Sequence, residues 1–403
     1  MKTSWQWTKS VPSIFNDKTK FLPVLWFLLP IILGFNKWRL DSVNNYAIYK
    51  GVFFHLLQQV NLYSLYPLQH EDANHYGPLF GLIIMPFTYL PDALGVVLWV
   101  SFQASVLYKA LTLLPIKPAY QWILLAICIV DLMTASASVQ VNPSVIGMII
   151  LSWYFVKKDQ VIWATFFVMI GFFIKLYGIV GLAFWVFSDS KIKYIGYSIM
   201  WAIILFVLPM ALSSPEFIIQ SYQDWFESLI HKNAVNQGVA NGVGTTMQDV
   251  SLMGLVRRVG GFPDIPGAYF IIPGFILQMI PLLRFKQYSD TIFQLRYLAS
   301  LAIFVVIFSS SSESPTFIIA VSGVAIWFIS QEYPIQNWVK VLLVLVVIIT
   351  SLSATDIFPK NVRQLFIIYS IKAFPCCLIW FTCIYQLLFE ETTKIKTSWI
   401  TQN

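Results

Sequence analysis

Apolar residues along this chain gather into twelve runs that are separated by shorter polar segments. The runs cover residues 21–36, 78–90, 94–114, 120–138, 142–156, 161–188, 193–212, 266–283, 292–309, 315–331, 336–353 and 364–389. An α-helix needs about 20 mostly apolar residues to cross a hydrocarbon core of about 30 Å, and most of the runs approach this length. The pattern predicts an all-α polytopic membrane protein with a single transmembrane domain, residues 21–390, between cytoplasmic tails at 1–20 and 391–403.

Two of the runs leave the threading open. The run at 78–90 is short, and Lys175 interrupts the run at 161–188. If the first only dips into the bilayer and the second crosses twice, the basic residues at the ends of the runs fall on the side of the N-terminus, as the positive-inside rule requires. That threading predicts twelve crossings with both ends cytoplasmic. The alternative, with one crossing for each of the two runs, places Lys117, Lys157 and Lys158 outside.

The composition excludes several classes of protein. Of the 403 residues, 58% are hydrophobic and 11% charged, whereas a soluble domain has about 25% charged residues. The net charge of +7 comes from basic residues placed singly or in pairs, a pattern typical of membrane topology and not of nucleic-acid binding. The four cysteines lie in apolar runs, so we expect small buried side chains and no disulfide framework.

The first apolar run follows a basic N-terminal segment, as the apolar region of a secretory signal peptide does. No small-x-small cleavage site follows it. We therefore interpret this run as an uncleaved first span with its basic tail in the cytoplasm.

Two long segments, residues 37–77 and 213–264, lie on the non-cytoplasmic side in either threading. Apolar residues recur at helical spacing in the first from Tyr46 to Val60, and in the second from Phe217 to Leu229 after a Ser-Pro start. Each predicts a helix lying in the membrane interface. A Gly- and Asn-rich loop follows the second helix at 236–246. Because no hydrophilic block is long enough for a soluble domain, the candidate chemistry lies in these outer loops.

Asp41 lies about five residues beyond the first span. A carboxylate at the outer membrane surface is suited to act as a general base toward a sugar hydroxyl. The alternative is an ordinary N-cap, because Asp41 and Ser42 precede a helical pattern.

Several short motifs follow one another along the chain in an informative order. They are Asp41–Tyr46, Gln59–Tyr63, His75–Leu79, Met85-Pro86, Leu98-Trp99, Gln140-Val-Asn142, Lys175, and Gln248–Gly254 with Arg257-Arg258. Over roughly residues 20–330, this order resembles glycosyltransferase family 87, the polyprenol-phosphate-mannose-dependent α-mannosyltransferases of the GT-C superfamily. Three positions differ: Val139 stands in place of a glycine, Gly178 in place of a proline, and the loop Ser309–Pro315 lacks a histidine that members often carry.

The resemblance implies a GT-C-type bundle of about twelve transmembrane helices with two interfacial amphipathic helices in the outer loops. It also implies an inverting transfer on the non-cytoplasmic face of the cell membrane. A hexose, mannose in this family, would move from a polyprenyl-phosphate donor to a glycan or glycolipid acceptor, with membrane lipid as a further partner. No cofactor is implied; a divalent metal is compatible with the leaving phosphate but not required.

The resemblance also gives the candidate residues their roles. Asp41 would be the general base, and Lys175, Arg257 and Arg258 would neutralise the donor phosphate. The substrate-binding candidates are Tyr46, His75, Tyr76, Gln140, Asn142 and Glu313.

Plainer alternatives remain for most of these residues and for two other features. Lys175 has the length to snorkel to a boundary, the two arginines suit interfacial anchors, and Glu313 suits a solvated loop. Asp131, inside an apolar run, suits structural pairing within the bundle. The cluster His70, Glu71, Asp72 and His75 carries metal-ligand residue types, but its spacing favours a surface loop.

Two other classes compete with a transferase. A lipid-linked glycan polymerase or ligase would share the compartment and donor, and large outer loops with essential Arg and His would mark it. A lipid or solute transporter would show repeat symmetry, and the sequence has no internal repeat.

Overall fold

The computed structural model describes residues 17–395 and 399–400. Within these residues it is helical, and the extended pairing recorded there is an antiparallel bridge between Ile116 and Ile400. The helices are α1 Lys18–Arg39, α2 Asn44–Gln58, α3 Phe80–Thr88, α4 Asp92–Thr112, α5 Gln121–Ala137, α6 Asn142–Lys157, α7 Val161–Ile174, α8 Lys191–Val207, α9 Pro215–Gln237, α10 Leu252–Val259, α11 Ala268–Met279, α12 Thr291–Ile307, α13 Phe317–Ile329, α14 Asn337–Leu345, α15 Lys360–Ile368 and α16 Phe374–Phe389. The all-α prediction is confirmed, while most of the two predicted tails lies outside the described residues.

Six helices of the described chain are long and apolar enough to cross a membrane. They are Thr19–Arg39, Asp92–Thr112, Pro118–Ala137, Lys191–Ala211, Asn337–Ala354 and Ile371–Phe389. Shorter apolar helices, among them Thr291–Ile307 and Ser314–Ile329, accompany them. The first and fourth of the six have only 17% and 22% of their apolar window buried, so they turn apolar side chains outward. Membrane helices are thus confirmed, and the count of twelve crossings stays a prediction.

The centre of the protein is formed by α12 and α13. Almost every residue of both helices is buried, including Arg296 and Tyr297 on α12 and Trp327 on α13. Because these side chains are buried on all sides by other helices, α12 and α13 lie in the interior of the bundle. The four cysteines are buried and unpaired, as the sequence predicts.

The run at 161–188 forms a hairpin with Lys175 at its tip. Helix α7 ends at Ile174, Lys175 is extended with φ −151°, and a 3₁₀ helix runs back from Leu176 to Phe187. The two arms are antiparallel: a Cβ placed on Gly178 would lie 2.3 Å from the carbonyl carbon of Gly171. Such close backbone contact requires glycine at this crossing. The structure confirms the predicted break at Lys175.

Three boundaries differ from the sequence prediction. Helix α2 ends at Gln58, so Val60 lies beyond it and is 38% exposed. The Gly- and Asn-rich run begins inside α9, where Asn236 is buried. The predicted span 364–389 is two helices, because Ser370 adopts φ 53° and separates α15 from α16. Short polar breaks of this kind carry little periodic signal, so the hydrophobic pattern merges the elements on either side.

Candidate functional site

Four residues predicted from the sequence form one chain of hydrogen bonds. Lys175 donates from Nζ to Oδ1 of Asn142 at 2.9 Å, and Nδ2 of Asn142 donates to Oε1 of Gln140 at 3.1 Å. Nε2 of Gln140 then donates to Oε1 of Glu313 at 2.6 Å. We refer to these four residues as the Lys175–Glu313 network. It joins the hairpin tip, the start of α6 and the loop before α13.

The backbone around Gln140 explains how the network is positioned. Helix α5 ends with Val139 in the left-handed region, φ 53°, and the amide of Gln140 donates back to the carbonyl of Ala135 at 2.9 Å. This is a Schellman end, a position that glycine normally fills. A β-branched residue there is strained. The glycine expected by resemblance at this position therefore has a physical reason, and Val139 adopts the same backbone conformation at a cost.

Glu313 is held between two side-chain amides. Its Oε1 accepts from Gln140, and its Oε2 accepts from Nε2 of Gln248 at 3.2 Å. Burial raises the pKa of the Glu313 carboxyl, while the positive charge of Lys175 and the bond from Gln140 lower it. Both oxygens act as acceptors, so the contacts favour the ionised carboxylate.

Aromatic side chains enclose the network. The ring of Tyr177 lies 4.7 Å from Nζ of Lys175 and its hydroxyl lies 2.7 Å from Oγ of Ser309. Tyr76 stacks on Phe80 with ring centroids 4.7 Å apart, and its hydroxyl lies 3.2 Å from that of Tyr49. Tyr49 and Phe80 are fully buried, so these rings pack as part of the protein core beside the network.

His75 reaches the second outer segment. Its Nδ1 lies 3.0 Å from Oγ of Ser228 on α9, and its carbonyl accepts from Nε1 of Trp225 at 2.9 Å. Burial, reinforced by the charges of Lys232 and Lys175, lowers the pKa of His75 to about 4. His75 is therefore neutral near pH 7.

A cavity of about 550 Å³ opens beside His75, between the first outer segment and α9. It is lined by Asn61, Tyr63, Ser64, Leu65, Asp72, Ala73, His75, Asp224, Glu227, Ser228, His231, Lys232 and Val235. Hydrogen bonds fix part of its wall: Asn61 donates to Asp224 at 2.7 Å, and Asn44 donates to Asp72 at 3.3 Å. Carboxylates, amides and imidazoles around one opening suit a ligand rich in hydroxyl groups.

Asp41 follows the last turn of α1. It adopts φ 51°, and the amide of Ser42 donates to the carbonyl of Lys37 at 2.9 Å. Asp41 therefore occupies the left-handed position of a second Schellman end. The N-cap of α2 is Val43, without a side-chain cap bond, so the N-cap alternative for Asp41 is wrong. Its carboxylate is exposed and makes no hydrogen bond or ion pair within residues 17–395.

A larger cavity, about 680 Å³, is lined by Lys37, four residues before Asp41 in the chain, whereas Asp41 itself does not line it. Its lining includes Lys37 from α1, Ser138 at the end of α5, and Glu313. Asn45 connects Asp41's loop to the same wall by donating to the carbonyl of Ser138 at 2.7 Å. Glu313 lines this cavity. The charges of Lys232 and Asp72, which line the smaller cavity, also act on the Glu313 carboxyl and shift its pKa. The Lys175–Glu313 network therefore lies between the two cavities.

Arg257 and Arg258 are occupied by protein contacts. NH1 of Arg257 lies 2.8 Å from Oδ2 of Asp249, and both side chains are almost fully buried. Arg258 donates to the carbonyls of Gln248 and of Ile367, the latter at 2.9 Å. These bonds shape the loop that carries Gln248 to Glu313.

Two other groups of predicted residues lie apart from the network. Tyr46 is buried and donates from its hydroxyl to the carbonyl of Phe87 at 2.9 Å, so it packs α2 against α3. In the acid and histidine cluster, His70 packs against Tyr66 while His75 turns to α9. Among the described residues, no three His, Cys, Asp or Glu side chains are grouped to hold a metal ion.

The sequence analysis missed Lys372, which lines the larger cavity from the turn before α16. Its Nζ lies 3.7 Å from Oδ1 of Asp131, and both side chains are buried. Asp131 thus has the partner within the bundle that its apolar surroundings indicate. A charge inside an apolar run is costly without a partner. An acid in one apolar run and a base in another therefore predict that the two residues pair.

Comparison with known proteins identifies the family of the chain. No curated protein matches the chain. The model of glycosyltransferase family 87 matches residues 74–352, which include His75, Gln140, Asn142, Lys175 and Glu313. The match covers well over half of the chain, and the chain therefore belongs to glycosyltransferase family 87 and is a glycosyltransferase enzyme.

Proposed function

We propose that this protein is a multi-pass membrane enzyme that transfers a hexose, mannose by resemblance, from a polyprenyl-phosphate donor to a glycan or glycolipid acceptor. The reaction inverts the anomeric configuration and takes place on the non-cytoplasmic face of the cell membrane. Asp41 acts as the general base. The observation that carries the proposal is the position of the Lys175–Glu313 network between two cavities of different character.

The larger cavity suits the donor. Its lining combines apolar side chains, such as Leu33 and Phe366, with charged side chains, such as Glu313 and Lys372, and this combination matches a lipid tail joined to a polar head. We assign Glu313, Gln140 and Asn142 to the sugar hydroxyls. Lys175 keeps the carboxylate of Glu313 compensated, so that it can stand close to the donor phosphate.

The smaller cavity suits the acceptor. Its polar lining gives several hydrogen-bond partners to an incoming glycan, and His75, held neutral, is available as donor or acceptor. Tyr76 lies between His75 and the network. An acceptor bound there approaches the sugar from the side of the outer loops.

The chemical step balances with the groups named. The oxygen of the acceptor hydroxyl attacks the anomeric carbon of the sugar on the face opposite the phosphate, while the Asp41 carboxylate takes the hydroxyl proton. The bond from the anomeric carbon to the phosphate oxygen breaks, and its electron pair stays on the departing polyprenyl phosphate. A β-linked donor therefore gives an α-linked product. General-base catalysis contributes about 10²- to 10⁴-fold, and positioning of the two substrates contributes further.

The experiment that tests this proposal is direct. Purified full-length protein in lipid nanodiscs is incubated with a panel of polyprenyl-phosphate hexoses and a panel of mannose-containing glycans and glycolipids. We expect one donor to be consumed and an α-linked hexose to appear on an acceptor, with release of polyprenyl phosphate. Consumption of a nucleotide-sugar donor instead, or movement of an intact lipid-linked sugar across a sealed bilayer, would overturn the proposal.

A further inference from the structure

The larger cavity carries more positive charge than its part in binding a sugar requires. Four cations line it: Lys37 from α1, Lys360 and Arg363 from α15, and Lys372. Two carboxylates, Glu313 and Asp356, line it with them. Cations therefore outnumber carboxylates among the side chains that line the cavity.

Lys372 is the buried member of this set. Its side chain is 3% exposed, and a buried ammonium is costly unless it is compensated. Its Nζ donates to the carbonyl of Ser314 at 3.3 Å. The distance of 3.7 Å to Asp131 is too long for a hydrogen bond. Nζ also lies 5.1 Å from the centroid of the Phe317 ring. An ammonium has three donors, and the hydrogen bond from Lys372 to Ser314 does not use all of them, while the side chain lines the cavity.

Helix α15 brings two further cations to the cavity from the outside. None of its residues is buried, and Arg363 forms an ion pair with Asp356, which lines the same cavity. On the same short helix Phe366 and Ile367 add apolar lining. A helix that combines charged and apolar side chains in this way is expected at an interface between a polar and an apolar phase.

Apolar side chains also line the cavity, and one of them comes from a helix with exposed apolar residues. Leu33 on α1 lines the cavity, and its neighbours Leu28 and Ile32 are each 45% exposed. A ligand with a single negative charge and a long apolar chain fits such a site. The anion lies near Lys372, and the chain leaves along α1.

We propose that Lys372, with Arg363 and Lys360 on α15, binds the phosphate of the lipid-linked donor, and that the apolar wall holds the first units of its prenyl chain. This assignment rests on the proposed function and replaces the expectation that Arg257 and Arg258 bind the phosphate, since neither arginine lines the larger cavity. Lysine and arginine donate strong charge-assisted hydrogen bonds to phosphate oxygens.

The test measures binding of polyprenyl monophosphate, the product that keeps the donor's prenyl chain and carries its phosphate as a monoester, to full-length protein in nanodiscs of uncharged lipid. The variants are Lys372→Met, Arg363→Gln and Lys360→Gln, with Lys340→Gln on the exposed part of α14 as the charge-matched control. Because Lys372→Met leaves Asp131 unpaired, the double variant Asp131→Asn/Lys372→Met is measured beside it. We expect Lys372→Met and the double variant to weaken binding about tenfold or more, Arg363→Gln and Lys360→Gln to weaken it less, and Lys340→Gln to leave it unchanged.

The outcomes separate this inference from the proposed function. If the wild-type protein fails to bind polyprenyl phosphate, both are overturned. If it binds, and the Lys372 and α15 variants bind equally well, the phosphate site is wrong while the proposed function stands. Displacement of the lipid by an equal concentration of inorganic phosphate would show a site for free phosphate and overturn the lipid assignment.

Discussion

Gln140 donates a hydrogen bond of 2.6 Å to Glu313, although 173 positions separate the two residues in the chain. The bond ties the end of α5 to the loop before α13 and leaves the second carboxylate oxygen for Gln248. Three separate segments therefore meet at one carboxylate. A movement of any of these three segments is therefore expected to change the position of the Glu313 carboxylate.

Replacing Glu313 by Gln removes the charge and keeps the size of the side chain. We expect kcat/KM to fall about 10- to 100-fold, the range for losing hydrogen bonds to a charged group. Burial raises the pKa of Glu313, so its ionised form is lost, as pH falls, at a higher pH than for an exposed glutamate. The rate of the wild-type enzyme should therefore decline on acidification through that raised pKa, and the rate of Glu313→Gln should not show this decline.

The matched control is Glu332→Gln, at an exposed glutamate before α14. It should retain the wild-type rate and pH profile. If Glu313→Gln kept the acid decline of the wild type, another group would be responsible and the role of Glu313 would be structural.

Asp41 offers an unusually clean substitution, because its left-handed conformation is tolerated by asparagine and favoured by glycine. Both Asp41→Asn and Asp41→Gly should keep the end of α1 intact. We expect each to lower kcat by about 10²- to 10⁴-fold with a thermal unfolding midpoint equal to or above that of the wild type. The measurements are hexose transfer in nanodiscs and unfolding in detergent. Wild-type turnover in either variant would exclude Asp41 as the base.

Arg257 and Asp249 form a buried ion pair, and we expect its role to be in stability. Arg257→Met leaves the carboxylate of Asp249 buried without its partner, and breaking such a pair costs about 3–5 kcal/mol. The neutral pair Asp249→Asn/Arg257→Met should recover much of the free energy of unfolding. The measurement is thermal unfolding. If the single and double variants were equally destabilised, the loss would come from contacts other than the ion pair of Arg257 with Asp249.

The sequence predicts the helical architecture well because apolar runs reflect the lipid environment directly. The hairpin at Lys175 follows the same logic, since a lysine inside an apolar run must reach a polar partner. The resemblance to glycosyltransferase family 87 also indicates Lys175, Gln140 and Asn142, and the structure brings them together with Glu313.

The remaining parts of the site depend on contacts that local patterns do not encode. The ion pair of Lys372 with Asp131 joins two segments that are far apart in the chain. The ion pair of Arg257 with Asp249 forms across the turn at the start of α10. Ser370 divides one apolar run into two helices through its backbone conformation, and a serine at this position does not predict that conformation. Charges in apolar runs predict that partners exist, but the fold decides which ones they are.

The hairpin also provides a test of how the position of Lys175 is maintained. A Cβ on Gly178 would meet backbone atoms of Gly171 and Phe172 at 2.3 and 2.4 Å, so Gly178→Ala must push the two arms apart. Overpacking of this kind costs about 1–3 kcal/mol, and the tip that carries Lys175 should move away from Asn142. We expect a lower unfolding midpoint together with a lower kcat/KM. The matched control is Gly196→Ala on α8, where nothing lies within 4 Å of an added Cβ and the change should raise stability by about 0.5–1 kcal/mol. If Gly178→Ala lowered stability but left transfer unchanged, the hairpin would support the bundle without positioning Lys175.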